Sequence, residues 1–293
     1  MIGLIYMKEI KKHSKNSSYS LKSFAKINLT FEVLRKTENS LHEITGVFQT
    51  INLHDEMEFS SATSIKVDCN NVYIPQESNL VFIAIQKLKK IFNIKNEGVH
   101  IKISKNIPVS SGFGGGSSNA AITLMTLNKL WNLKLTRSEL IEIAVELGSD
   151  VPFFIIGGTA RISGVGEIVE KLPLIKTTPI MLSFFNYSGF NKTKNMYQEL
   201  TENNFSNGEN TDNLVKCLKN QDPVDDNIFY NVFNKIAEKS FPNINERFKD
   251  LSNITGSKSI LCGAGPSIFS VIKKPDDVSE INLPFLNTYT CDK

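Results

Sequence analysis

The chain has 293 residues, of which 41% are hydrophobic and 22% are charged, values that are ordinary for folded proteins and that exclude gross disorder. This length is sufficient for two packed lobes. The formal net charge is only +3 and the lysines are scattered, which disfavours nucleic acid as the main partner but allows a local pocket for an anionic ligand.

The cysteines, histidines and apolar segments exclude further classes of protein. Four cysteines without paired spacing indicate reduced thiols and a cytosolic location, and four histidines form no metal-ligand pattern. No apolar run reaches the roughly 20 residues that a membrane span needs. Residues 1–7 are apolar but precede the first lysines, the reverse of a signal peptide, so residues 1–18 are predicted to form a polar extension.

The first predicted element is a strand over Ser23–Val33. Apolar residues occupy its odd positions, so Lys26, Asn28 and Thr30 are expected together on the opposite face. That face could belong to a site or be the solvated side of an edge strand. A second extended segment is predicted over Val47–Leu53.

Helices and strands alternate through the following residues. A helix is predicted after Ser78, and a strand over residues 99–103 leads into a glycine-rich loop and a second helix. Thr136 and Glu139 form a capping box for a third helix, which Gly148 ends. The remaining predictions are strands over Val151–Ile156, Thr159–Ser163, Ile180–Phe185 and Ser259–Leu261, a polar loop or helix margin over Asn203–Asp212, and a late helix over Asp226–Ser240.

The glycine-rich loop, Pro108–Ser118, carries the strongest chemical signal. Its glycines let backbone N–H groups turn inward, and the positive end of the following helix favours a phosphate group. The loop has neither the Gly-Lys-Ser/Thr ending of a Walker A loop nor the G-x-G-x-x-G spacing of a dinucleotide site. A glycine turn needed only for packing is the alternative, which the strand–loop–helix order disfavours.

A second chemical signal is Asp150, within Leu147–Phe153. It follows a helix end and precedes an apolar run, so we expect a rigid and partly buried carboxylate that needs partners. Lys26 and a substrate hydroxyl would suit it, since phosphoryl transfer needs a group that orients the hydroxyl. The alternative is a helix-capping aspartate. The glycine turn at Gly263–Ile268 is, by itself, more typical of a simple tight turn.

In combination, these segments resemble the GHMP kinase superfamily over residues 23–272, and within it the 4-diphosphocytidyl-2-C-methyl-D-erythritol kinases. The glycine loop alone identifies only the superfamily, whereas the full set of motifs in this order is specific. The matching segments are Ala25–Leu29, His42–Glu43, Phe48–Gln49, Gly114–Ala121, Leu147–Phe153, Gly157–Ala160, Gly164–Glu167 and Gly263–Ser267.

The resemblance implies an α+β fold with two lobes, an N-terminal ribosomal-protein-S5-domain-2-like lobe over residues 19–170 and a C-terminal α/β lobe over residues 171–293. It implies an ATP-dependent kinase that needs Mg²⁺ and phosphorylates the 2-hydroxyl of 4-diphosphocytidyl-2-C-methyl-D-erythritol, in non-mevalonate isoprenoid synthesis. The expected partner is this small molecule, with no nucleic acid and no membrane. A cytoplasmic monomer or weak homodimer is expected.

The resemblance also implies a role for each site residue. Asp150 would be the general base and Lys26 would polarise the attacking hydroxyl. Asn28, His42, Thr193 and Tyr197 would contact the substrate. No dedicated metal site is implied, because the ATP phosphates would hold most of the Mg²⁺ coordination, with Ser118 as a candidate ligand. The ATP-binding residues would be Asn79, Lys105, Pro108, Ser111, Gly112, Gly114, Gly115, Gly116, Ser117, Ser118 and Asn119.

The sequence departs from the family pattern in two places. The family's Asp-Gly-Tyr is replaced here by a segment ending in Leu41, so stacking on cytosine would depend on Tyr197. Val165 stands where arginine is frequent, and nothing in the sequence explains it. Two alternatives stay open: another GHMP kinase, of the homoserine or mevalonate type, and a non-catalytic nucleotide-binding module, which would need neither Lys26 nor Asp150.

Overall fold

The computed structural model describes residues 18–70, 74–184, 192–273 and 285–291, so the predicted N-terminal extension lies outside the described residues apart from Ser18. The elements up to residue 171 are β1 (Ser18–Lys36), β2 (His42–Ala62), β3 (Ile65–Cys69), α1 (Leu80–Ile91), β4 (Gly98–Ser104), α2 (Gly115–Leu130), α3 (Arg137–Val145), α4 (Val151–Ile156), β5 (Thr159–Gly164) and β6 (Ile168–Lys171). Those that follow are β7 (Pro179–Ser183), α5 (Lys192–Gln198), α6 (Glu209–Asn220), β8 (Tyr230–Asn231), α7 (Ala237–Ser240), α8 (Ile244–Thr255), β9 (Ile260–Leu261), β10 (Ile268–Val271) and β11 (Phe285–Tyr289).

The described strands form two sheets. A seven-stranded sheet has the order β3-β4-β2-β1-β8, with β5 paired to β2 and β6 paired to β5. A four-stranded sheet has the order β11-β7-β10-β9 and consists only of strands from the C-terminal half. The short strand β8 lies in the C-terminal half of the chain but pairs with β1, so the first sheet contains strands from both halves. The predicted lobe boundary near residue 170 stays a prediction.

A bulge in β1 decides which side chains face the site. The register of β1 against β2 shifts between Asn28 and Thr30, and an extra residue reverses the alternation of side chains beyond it. Thr30 was expected on the same face as Lys26 and Asn28, but the bulge places it on the other face. There it contacts Thr211 of α6, with 3.0 Å between the hydroxyl oxygens. The solvated-edge alternative is also wrong, because Lys26, Asn28 and Thr30 are all buried.

The segment Val151–Ile156 is helix α4 and not the predicted strand. Its first five residues are buried, so the apolar run shows no period that would separate a helix from a strand. Pro152 lies in the first turn of this helix, where its missing N–H costs no hydrogen bond, whereas a central strand would lose one. The proline was the signal for a helix in this segment.

The predicted helix over residues 226–240 is also wrong. This segment contains a 3₁₀ turn, strand β8, a second 3₁₀ turn and the single-turn helix α7. Asn231 interrupts any continuous helix, because its backbone is extended and its side-chain oxygen accepts from the N–H of Phe233 at 2.9 Å. An asparagine that bonds to the backbone two residues later favours a cap over a helix interior.

The segment predicted as a polar loop or helix margin, residues 203–212, is a helix margin in its last part, since it includes the first turn of α6. Glu32, a fully buried residue of β1, accepts from the N–H of Thr211 at 2.8 Å and from the amide of Asn210 at 2.9 Å. A carboxylate at a helix N-terminus satisfies free N–H groups and is stabilised by the helix dipole. The partner that stabilises this turn lies far away in sequence, which is why local composition did not separate a loop from a helix margin.

The other local predictions are confirmed at or near the expected bounds. Helix α3 has the capping box of Thr136 and Glu139, and Asn79 caps α1 by accepting from Val81 N–H. The strands predicted over residues 159–163, 180–185 and 259–261 correspond to β5, β7 and β9, with Phe185 outside the described residues. No helix in the described part of the chain is both long enough and apolar enough to cross a membrane.

Candidate active site

The side chain of Lys26 is almost completely buried, at 2% exposure, where β1 approaches the glycine loop. Its ammonium group lies 3.4 Å from a carboxylate oxygen of Asp150 and donates to the side-chain oxygen of Asn28 at 2.9 Å. It also lies 4.9 Å from the centre of the Phe48 ring, a distance at which the ring face attracts a cation. A buried cation needs such compensation, because removing it from water is costly.

Asn28 joins Lys26 to the C-terminal glycine turn. Its oxygen accepts from the Gly263 N–H at 2.8 Å, while its buried amide nitrogen has no hydrogen-bond partner among the described residues. This geometry orients the nitrogen as an unused donor beside the lysine. Asn28 is fully buried, as Lys26 nearly is, and its predicted contact with substrate stays a prediction.

The glycine loop has two positions that only glycine suits. Gly112 has φ of +95°, and a Cβ there would lie 2.1 Å from the carbonyl oxygen of Cys262. Gly114 has φ of +74°, and a Cβ there would lie 2.8 Å from the Phe154 ring. Gly115 and Gly116 already belong to α2, so the N–H groups of its first turn open towards the space above the loop. A phosphate group fits this position, since it accepts from free N–H groups and is stabilised by the helix dipole.

A buried carboxylate holds both ends of this loop. Asp55 in β2 has no exposed surface and accepts from the N–H groups of Asn106 and Ile107, each at 2.8 Å. Its other oxygen accepts from the Asn119 amide at 3.0 Å and pairs with the ammonium of Lys105. The same carboxylate therefore fixes the chain before the loop and the N-terminal part of the helix after it. Sequence reasoning missed Asp55.

The loop borders a cavity of about 510 Å³. One part of its lining is apolar, with Ile74, Leu80 and Ile103. Another part brings Asp150, Lys192 and Thr193 to the same cavity. An apolar wall, a glycine loop and charged groups in one cavity suit a nucleotide whose base and phosphates need different surroundings. The predicted ATP-binding residues that line it are Asn79, Lys105, Pro108, Ser111, Gly112, Gly114, Gly115, Gly116, Ser117 and Asn119.

Ser118 differs from these predicted residues. It is 1% exposed, and its hydroxyl oxygen accepts from the Ser23 hydroxyl at 2.7 Å. The residue before it, Ser117, does line the cavity. Ser118 therefore joins α2 to β1 beneath the loop, and its contact with ATP or Mg²⁺ stays a prediction.

A second cavity, of about 670 Å³, is lined by Ser149, the residue before Asp150. Its lining includes Leu41, His42, Ser149 and Tyr197. Burial and the nearby charge of Lys36 lower the pKa of His42, which favours the neutral imidazole, and a neutral imidazole can both donate and accept hydrogen bonds.

Aromatic side chains crowd the predicted base-stacking residue. The Tyr197 ring lies 4.9 Å from the His42 ring and 5.0 Å from the Phe233 ring, measured between centres. Burial raises the pKa of the Tyr197 hydroxyl above its ordinary value. Because the His42 ring lies against the Tyr197 ring, a base that stacked on Tyr197 would compete with His42 for one face of the tyrosine. Phe205 is a further aromatic residue of this cavity, and sequence reasoning missed it.

The departures from the family pattern also lie at the second cavity. Leu41 is 53% exposed at its edge, in the position where the family has tyrosine. Val165 lines the same cavity, and its N–H donates to a Glu167 carboxylate oxygen at 2.6 Å. Nothing in the structure explains why valine stands there.

Comparisons with known proteins place these features in a family. Residues 79–158 match the family described as GHMP kinases N terminal domain. A 4-diphosphocytidyl-2-C-methyl-D-erythritol kinase of Caldanaerobacter subterraneus subsp. tengcongensis is 37% identical over 255 residues, which cover 86% of this chain and 87% of the relative. The enzyme of the same name from Clostridioides difficile is 38% identical over 274 residues, 88% of each chain.

Solved structures confirm the expected α+β GHMP fold. A crystal structure of 4-(cytidine 5'-diphospho)-2C-methyl-D-erythritol kinase has a TM-score of 0.76 at 24% identity, and the match covers 92% of this chain and 98% of that one. Homoserine kinase from Cytophaga hutchinsonii has a TM-score of 0.72 at 16% identity, with 96% of both chains covered. The fold is thus shared between kinases with different acceptors.

Two glycine variants test whether the loop binds phosphate. Gly116→Ala is expected to keep the thermal unfolding midpoint, because the nearest atom to an added Cβ is Leu80 Cδ1 at 3.9 Å. It should weaken ATP binding about tenfold, ~1.4 kcal/mol, because the methyl group would enter the space of the phosphates. Gly114→Ala should lower both the midpoint and the ATP affinity, since its φ and the Phe154 ring oppose a side chain. Calorimetric titration with ATP measures the affinities. Wild-type affinity in Gly116→Ala would mean that phosphate does not bind against this turn.

Proposed function

The chain belongs to the 4-diphosphocytidyl-2-C-methyl-D-erythritol kinases, a family of ATP-dependent GHMP kinases, and we propose that it transfers the γ-phosphoryl group of ATP to the 2-hydroxyl of 4-diphosphocytidyl-2-C-methyl-D-erythritol. The enzyme is therefore a small-molecule kinase of isoprenoid precursor synthesis. Identities of 37% and 38% over most of the chain support the substrate class.

The observation that carries this proposal is that neighbouring residues of the chain line the two cavities. Asp150 lines the cavity beside the glycine loop, and Ser149 lines the second cavity. Helix α5 is divided in the same way, with Lys192 and Thr193 on the first cavity and Tyr197 on the second. A donor in one cavity and an acceptor in the other would meet at Asp150, where the Lys26 ammonium lies.

The first cavity fits ATP. We propose that the adenine contacts the apolar lining and that the phosphates accept from the N–H groups at the start of α2. Lys105 lines this cavity and is oriented by Asp55, so its charge lies near the triphosphate. Catalysis of phosphoryl transfer consists largely of positioning and charge stabilisation, which is what this arrangement supplies.

Mg²⁺ is proposed to enter on the phosphates of ATP, where it would neutralise charge during transfer. Hard cations such as Mg²⁺ prefer oxygen ligands and keep several waters, so a hydroxyl beside the phosphates is a suitable protein ligand. Ser117 offers such a hydroxyl to the cavity, whereas the oxygen of Ser118 is engaged with Ser23. Ser117 is therefore the more accessible side chain of the loop for the ion.

Asp150 is proposed to accept the proton of the attacking hydroxyl. Its side chain is 33% exposed, so it combines a fixed position at the start of α4 with access from the cavity. Lys26 would donate to the same hydroxyl and stabilise the oxygen as its proton leaves. Because Lys26 is held by Asn28 as well as by Asp150, its position does not depend on the carboxylate alone.

The second cavity is proposed to hold the cytidine diphosphate part of the acceptor. The neutral His42 can offer one ring nitrogen to the edge of cytosine, and Tyr197 or Phe205 can contact the base face. Thr193, an exposed residue at the start of α5, lines the first cavity, and its neighbour Lys194 lines the second, so Thr193 is proposed to contact a phosphate of the acceptor. A cytosolic location is proposed from the four free cysteines, and the monomeric or weakly dimeric state stays a prediction.

A substrate panel tests the function. Homoserine kinase shares the fold at a TM-score of 0.72, so a homoserine or mevalonate acceptor is the alternative. Purified protein with Mg-ATP should release ADP with 4-diphosphocytidyl-2-C-methyl-D-erythritol and remain near background with homoserine and mevalonate. Faster turnover of either smaller acceptor would overturn the cytidyl proposal. Absence of turnover with all three acceptors, in protein that binds ATP, would favour a non-catalytic module.

Asp150→Asn is expected to lower kcat ~10²–10⁴-fold, because an amide keeps the shape of the carboxylate but cannot accept the hydroxyl proton. ATP affinity should change little, since the triphosphate contacts the loop. Steady-state turnover assays measure kcat, and calorimetric titrations measure the affinity for ATP. Asp250→Asn is the matched control, because it removes the same charge from an exposed position of α8. Near-normal kcat in Asp150→Asn would remove Asp150 from the mechanism.

Leu41→Tyr is expected to lower KM for the cytidyl substrate a few-fold, because it restores an aromatic face at the edge of the second cavity. Base stacking is worth ~1–3 kcal/mol by alanine substitution, and leucine already supplies part of the contact. The kcat and the KM for ATP should not change, since the base contact is equal in ground and transition states. Leu41→Ala should raise the same KM. If neither variant changed it, Leu41 would not lie against the base.

A further inference from the structure

We propose that Lys192 binds the terminal phosphate of ATP and, through it, joins the glycine loop to the C-terminal glycine turn. This proposal rests on the proposed function, since it assumes that ATP occupies the first cavity. It goes beyond that function in assigning a phosphate-binding cation at a position where no motif indicated one.

The hydrogen bonds of Lys192 to other described residues use two of its three donors. Its ammonium group donates to the backbone carbonyl oxygen of Ser110 at 2.7 Å and to that of Gly265. An ammonium group has three N–H donors, so two of them fix the side chain between the loop and the turn, and the third is available to a ligand. Lys192 and Thr193 line the nucleotide cavity together with Asp150.

The charge of Lys192 is not neutralised by its partners. Both hydrogen-bond partners are neutral carbonyl groups, and within the described residues no carboxylate forms an ion pair with it. The charged and titratable groups that face it are Lys26 from β1, Asp150 from the start of α4 and Cys262 from the turn after β9. Burial, and after it the charge of Lys26, lower the pKa of Lys192 to about 8, and Asp150 and Cys262 oppose this shift only in part.

A partly buried cation held by neutral carbonyls is a site that an anion stabilises. The acceptor hydroxyl is neutral, so it cannot supply the missing charge. The terminal phosphate of ATP is the most highly charged group of the donor, and the loop that carries Ser110 is the phosphate-binding loop. When bound, the terminal phosphate would neutralise the charge of Lys192. Because Lys192 is bonded to both the loop and the Gly265 turn, both segments would then be joined to the same ligand.

Two other roles give different results in an experiment. If Lys192 only fastened the loop to the turn, its loss would weaken ATP and ADP alike, because both need an intact loop. If it bound the diphosphate of the acceptor, its loss would change KM for the acceptor but not the affinity for ATP. Only a contact with the terminal phosphate separates ATP from ADP.

The pH dependence follows from the same contact. Below pH about 8 the free enzyme carries Lys192 in its protonated form, ready for phosphate. The pKa is raised when the phosphate binds, so above pH about 8 binding requires the uptake of a proton and ATP affinity falls as the pH rises. ADP affinity should stay nearly constant over the same range, because ADP lacks the terminal phosphate.

The test is the ratio of ATP to ADP affinity, measured by calorimetric titration from pH 7 to pH 9.5 in the absence of acceptor. In the wild-type protein the ratio should fall above pH about 8. Lys192→Met should lower the ratio at pH 7 by about tenfold to a hundredfold, the size of a charged hydrogen bond, and should remove its pH dependence. Lys192→Arg, which stays charged at all these pH values, should keep the ratio at pH 9. Lys216→Met, an exposed position of α6, is the matched control and should behave as the wild type does.

Several results would overturn the proposal. They are an equal loss of ATP and ADP affinity in Lys192→Met, a change in acceptor KM alone, and a wild-type ratio that does not vary with pH. The last result needs no variant, so the proposal can be refuted even if Lys192→Met does not fold. These titrations use no acceptor, whereas the substrate panel does. If the proposed acceptor were wrong, turnover with it would fail but Lys192→Met would still lower the ratio of ATP to ADP affinity. If the role of Lys192 were wrong, turnover would be normal but Lys192→Met would leave this ratio unchanged.

Discussion

The burial of the Lys26 ammonium group is the constraint on which the rest of the site depends. At 2% exposure this cation has lost its hydration, and three separate parts of the chain compensate it: the Asp150 carboxylate, the Asn28 amide and the Phe48 ring. Removal of one partner from a buried ion pair leaves an uncompensated charge, which is strongly destabilising. The glycine turn at Gly263 is tied to the same group through Asn28, so the two sheets of the fold meet around one cation.

A second buried charge gives the phosphate loop its shape. Asp55 lies under the loop and fixes both of its ends, and the left-handed glycines at 112 and 114 let the backbone approach Cys262 and Phe154 between those ends. The carboxylate is fully satisfied by four donors, which is the condition under which a buried charge is tolerated. A loop held in this way can present its N–H groups to a phosphate without paying for reordering when the ligand arrives.

The sequence predicted the parts of the site that depend on local patterns. The glycine loop, the capping box of Thr136 and the strand that carries Lys26 were found because their signals lie within a few neighbouring residues. Asp55 and Lys192 were missed because their partners are distant in the chain: Asp55 bonds to Asn106, and Lys192 bonds to Gly265. The bulge after Asn28 could not be foreseen from alternation, since it appears only when β1 is paired with β2.

Lys26 and Asp150, 3.4 Å apart, are proposed to act as one unit on the acceptor hydroxyl. The most direct test is a double-mutant cycle on kcat with the cytidyl acceptor, using Lys26→Met, Asp150→Asn and the double variant. Residues that act together show strongly non-additive losses. The double variant should therefore be about as slow as the slower single variant. A loss equal to the product of the two single losses would show that the residues act independently and would contradict the account.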